Sequence, residues 1–63
     1  MTQKELLYVE DAIGHEKVII ANIEDYINCL QDEDTIDFMR KELKTHNKMK
    51  NEFIKLLESE SNE

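Results

Sequence analysis

Hydrophobic positions along the chain recur at intervals that alternate between three and four residues. From the N-terminus they run Leu6, Val9, Ile13, Ile20, Ile23, Ile27 and Leu30, with Glu16 on the same line between Ile13 and Ile20. This is the a/d spacing of a heptad repeat, which places these side chains on one stripe of an α-helix. The pattern predicts a first helix over about residues 3 to 30. Ala12, Ile19 and Tyr26 each precede a stripe residue and widen the stripe to the breadth of a bundle helix. The same spacing returns as Ile36, Met39, Leu43, His46, Lys50, Phe53 and Leu57, flanked by Met49 and Leu56. It predicts a second helix over about residues 35 to 57.

The segment between them, residues 31 to 34, breaks the period and reads as a turn. Asp34 is the expected N-cap of the second helix, with Asp37 three residues on in an approximate capping-box relation. Acids clustered at a helix start also suit the macrodipole. The run "DED" lacks the spaced oxygen ligands, glycine and closing glutamate of a calcium loop. Residues 58 to 63, "ESESNE", are polar and aperiodic, and read as a disordered acidic tail.

A short connection between two amphipathic helices makes an antiparallel hairpin, so the fold class expected is all-α. Setting Leu30 opposite Ile36 across the turn gives a register for every layer. Ile20 then faces His46, Glu16 faces Lys50, and Ile13 faces Phe53. This brings the only acid of one seam opposite the only lysine of the other.

Composition supports helix over sheet. Proline is absent, Gly14 is the single glycine, and 37% of residues are charged. The net charge of −7 argues against nucleic acid and anionic membrane surfaces as partners. No apolar run approaches the roughly 20 residues of a membrane span, and "MTQKELLYVEDA" has no secretory pattern, so a cytoplasmic location is expected. Cys29, the only cysteine, excludes an internal disulfide and reads as a reduced thiol, with an intermolecular bridge as the alternative. Residues 3 to 30 carry two basic and six acidic side chains, net −4, whereas residues 35 to 57 carry six basic and three acidic, net +3. Helices of opposite sign attract when laid side by side, by a few tenths of a kcal/mol per exposed pair.

Chains of 63 residues rarely bury enough apolar surface to be stable alone. Here both stripes are wider than the strip two helices can hide from each other, with Ile19, Tyr26, Met49 and Leu56 left over. The expected remedy is a second copy of the chain, closing a homodimeric four-helix bundle. Docking of one helix face onto a different protein is the alternative. Gly14, Val18 and Ala21 lie near the back of the first helix, where a glycine reads either as a close helix approach or as a tolerated surface position.

Glu16, His46 and Lys50 are the only ionisable residues on the two seams, and Glu42 lies one turn before His46. A buried Glu16–Lys50 ion pair is one reading, in which a lone polar layer fixes the register. A metal site assembled at the dimer interface from Glu16, His46 and Glu42 is another, since carboxylates and imidazoles pointing into a bundle build di-iron and di-manganese centres. A third has these side chains reaching solvent. No nucleophile or oxyanion donor accompanies the carboxylate and imidazole, so no enzymatic activity is expected.

The stretches "LLYVEDAIGHEK" and "ELKTHNKMKNEFIKLL" resemble short clostridial and bacillar proteins with a ferritin-like half-bundle, among them the spore coat protein F group and distant relatives of rubrerythrin. The resemblance spans about Leu6 to Leu57. It implies a bundle scaffold, a structural or interaction role related to sporulation or coat assembly, and, as an alternative, bound iron, manganese or zinc. The family offers a glutamate from its first helix and Glu-x-x-His from the next. Glu16 and His46 match by type, while Leu43 stands three residues before His46 and Glu42 is the nearest acid.

Overall fold

A computed structural model describes residues 1 to 61. It contains two helices, α1 over Gln3–Cys29 and α2 over Glu33–Ser61, folded back on each other as an antiparallel hairpin. Among the described residues there is no strand.

α1 starts at a full capping box. The Glu5 backbone N–H donates to Thr2 Oγ1 at 3.1 Å, and the Thr2 N–H donates back to Glu5 Oε1 at 2.9 Å. Two of the donors a helix start leaves orphaned are thereby satisfied. At the other end Leu30 turns extended, with φ −86° and ψ 147°, while its N–H still reaches Tyr26 O at 3.0 Å.

The connection is shorter than the hydrophobic pattern suggested: it comprises residues 30 to 32, not 31 to 34. Asp32, rather than Asp34, caps α2. Its Oδ2 accepts from both the Thr35 N–H at 2.9 Å and the Thr35 hydroxyl at 2.6 Å. Its carbonyl accepts from the Ile36 N–H at 3.0 Å. Only Asp32 has a hydroxyl residue three positions on, so it gains two donors where the Asp34 cap would gain one. Glu33 and Asp34 then fall in the first turn, where the positive helix end favours them. α2 also continues past Leu57 to Ser61, so most of the expected tail is helical; residues 62 and 63 lie outside the described residues.

The earlier start of α2 slides the register by one helical turn. Glu16 lies against His46, and the N-terminal ammonium lies 3.5 Å from Glu60 Oε2. These two contacts sit at the middle and the open end of the hairpin and agree on one alignment. Carried along the seams, it sets Ile23 across from Met39, Ile20 from Leu43, and Val9 from Phe53.

Ile13, Ile20 and Ile23 are the buried apolar residues, all from α1, with Glu16 buried among them. Among the described residues none of α2 is buried; Ile36, Met39, Leu43, Phe53, Ile54 and Leu57 are half-buried. Leu6, Val9, Ile19, Ile27 and Leu30 complete the seam from α1, also half-buried. Tyr26, Met49 and Leu56 stay exposed in the single chain. Ile54 is the one half-buried apolar residue outside the expected stripe. The result is a slab 47 × 14 × 12 Å, one helix thick.

Candidate functional site

Half-way along the hairpin the stripe of isoleucines is interrupted by the carboxylate of Glu16, only 7% exposed. Helical periodicity forces this placement: Glu16 lies three residues after Ile13 and four before Ile20, so it must share their face. A carboxylate there needs a partner, because a buried unpaired charge is strongly unfavourable. The partner is His46, whose Nδ1 lies 2.5 Å from Glu16 Oε2. A carboxylate oxygen only accepts, so Nδ1 carries the hydrogen and donates it. Among the described residues no buried side-chain nitrogen or oxygen is left without a partner.

The expected Glu16–Lys50 pair does not form. Lys50 sits one turn further along α2, half-buried, and no ion pair is made to it among the described residues. The physical reason is the shorter turn, which carries His46 into the layer that a four-residue connection would have given to Lys50.

The second imidazole nitrogen, Nε2, faces Glu42 Oε2 at 3.8 Å. That is an electrostatic contact and too long for a hydrogen bond. Glu16, His46 and Glu42 therefore do come together, as a chain of carboxylate, imidazole and carboxylate. With its Nδ1–H committed to Glu16, His46 has one nitrogen left for a ligand, and Glu42 supplies the nearest oxygen. Within one chain that set does not fit a metal ion, and among the described residues no three His, Cys, Asp or Glu side chains are grouped to hold one. His15, although it adjoins Glu16 in the chain, is exposed, as is Cys29.

Elsewhere the polar contacts are peripheral. Arg40 and Asp37 pair at 3.8 Å with both side chains about two-thirds exposed, a contact worth little in water. The Lys4 ammonium lies 5.9 Å from the Tyr8 ring centre. A surface hollow at the turn end, lined by Glu33, Ile36, Asp37 and Arg40, is separate from the Glu16–His46 layer. Gly14 has open space where a Cβ would stand, so within the chain it permits no close approach. Among the described residues no helix is long and apolar enough to cross a membrane.

Compared with known protein families, curated proteins and solved structures, the chain matches none. The resemblance to half-bundle proteins therefore rests on the residues quoted for it alone.

Proposed function

We propose that this chain is a small, non-enzymatic, self-associating helical protein whose working form is a homodimeric four-helix bundle with a structural or protein-interaction role. The observation that carries the reading is the poverty of the core. Among the described residues the buried apolar side chains are three isoleucines from one helix, while Tyr8, Tyr26 and Phe38 are each more than half exposed. Apolar area left in water forgoes about 25 cal/mol per Å², and a chain of this size has little stability to spare. A second copy removes that exposure without any new sequence.

The Glu16–His46 layer fits the same role. The hydrogen-bonded polar layer penalises a slip that sets Leu43 opposite Glu16, because the carboxylate then faces a hydrocarbon. Its task is to specify alignment, not chemistry. The coat-related setting and the cytoplasmic location follow from the resemblance and from the sequence pattern.

Sedimentation equilibrium at micromolar concentrations tests the reading. Twice the chain mass is the expected result. A single-chain mass throughout that range removes self-association, and favours docking of a helix face onto a different protein.

A further inference from the structure

The two sides of the hairpin differ sharply. In an antiparallel pair, the positions just before the a residues of both helices lie along one side, and those just after the d residues along the other. On the first side stand Ala12, Ile19 and Tyr26 from α1, and Glu42, Met49 and Leu56 from α2. On the second stand Glu10, Lys17 and Glu24, and Arg40, Asn47 and Ile54. Tyr8 and Phe38, 60% and 58% exposed, rim the first side near its two ends. Most of the apolar side chains left over by the hairpin thus lie on the first side, while Leu7 and Val18 stand elsewhere.

Resting on the self-association reading, we propose that this face closes on a second copy of the chain with both turns at the same end, α1 of each copy lying on α2 of the other. The face measures 47 Å by 14 Å, a flat projection of roughly 660 Å², near the ~800 Å² per partner of a stable interface. Isologous closure of one patch on itself allows two arrangements. A two-fold axis across the helices would stack α1 on α1. An axis along the helices stacks α1 on α2.

Charge separates the two. α1 carries Lys4 and Lys17 against six acids, net −4, whereas the span Arg40 to Lys55 of α2 carries six bases against Glu42 and Glu52, net +4. The first arrangement sets the acidic α1 of one copy on that of the other; the second sets it on the basic middle of α2, whose acidic ends bring the whole helix to −1. The observed register also fills the second arrangement sensibly. Level by level from the turn it brings Tyr26 to Phe38, Ile19 to Glu42, Ala12 to Met49, and Tyr8 to Leu56. The smallest residue of the face lies at the level of the long, adaptable methionine. Glu42, the charge in the middle of this face, is covered together with the imidazole 3.8 Å away.

Two measurements on the full chain test this. In the first, Tyr26→Glu and, separately, Leu56→Glu are compared with Val18→Glu in sedimentation. All three residues are at least 42% exposed, so the hairpin itself tolerates each change, which circular dichroism verifies. The two face variants are expected to dissociate at least about thirtyfold more readily, and Val18→Glu to stay dimeric; dimers of unchanged affinity in both face variants would overturn the choice of face. In the second, a spin label on exposed Cys29, beside the turn, reports the distance between copies. Same-end turns put the labels roughly 20–30 Å apart, whereas opposite ends put them about 40 Å or more apart along the bundle. The longer distance in a dimer overturns the proposed arrangement while leaving self-association intact. A wild-type monomer overturns both.

Discussion

Replacing His46 with leucine isolates the polar term in the middle of the seam, because leucine nearly fills the volume of the imidazole and offers no hydrogen. The variant leaves the Glu16 carboxylate, 7% exposed, facing hydrocarbon. Breaking a buried pair by removing one partner costs about 3–5 kcal/mol, and the 21% exposure of the His46 side chain lowers this to roughly 2–4 kcal/mol. A chain of 63 residues commands about 3–9 kcal/mol in all, so much of the variant population is expected to unfold at neutral pH. Glu16→Leu is expected to be milder, at about 1 kcal/mol or less, since the remaining imidazole reaches water. The double variant Glu16→Leu, His46→Leu is expected to match or exceed the parent, as apolar replacement of a buried pair is neutral to stabilising. Urea unfolding followed by far-ultraviolet circular dichroism measures all four forms, at several protein concentrations because association shifts the midpoint. The expected coupling is about 2–5 kcal/mol. A His46→Leu variant within about 0.5 kcal/mol of the parent, or a double variant no better than His46→Leu, would refute the reasoning.

Other outcomes follow from the same geometry. Among the described residues Lys50 occupies the seam without an ion-pair partner, so Lys50→Met is expected to stabilise by about 1 kcal/mol, and a loss of more than that in urea would restore a pairing role to Lys50. Gly14 is helical with open space above it, so Gly14→Ala is expected to add about 1 kcal/mol and leave the sedimenting mass unchanged; a destabilised variant would mean the space is occupied in the assembly. The Thr35 hydroxyl and N–H hold the Asp32 carboxyl below its ordinary value of 3.8, and the Thr2 N–H and hydroxyl hold Glu5 below 4.5. Because both folded values are lowered, their contribution is full above the ordinary values and is lost as pH falls through the folded ones. Stability is therefore expected to decline below those ordinary values, and the decline to be shallower in Asp32→Asn, which still caps but does not titrate. An identical acid profile in Asp32→Asn would contradict this assignment of the cap.

The local chemistry of the chain was enough to determine two helices, their common stripe and their reversal at the acidic segment. Heptad spacing is a property of 3.6 residues per turn and needs no tertiary information. The polar interruption at Glu16 was equally legible, since its neighbours three and four residues away dictate its face. What periodicity cannot distinguish is one turn from the next along a seam: His46 and Lys50 lie on the same line of α2, and either satisfies the pattern opposite Glu16. That choice was made by the turn. Asp32 captures two donors of Thr35, α2 begins at Glu33, and the whole helix slides until imidazole meets carboxylate. Tertiary packing likewise decided that the core comes from α1 and that Tyr26, Met49 and Leu56 remain uncovered, because two cylinders touch along a line and each hides only the strip facing its neighbour.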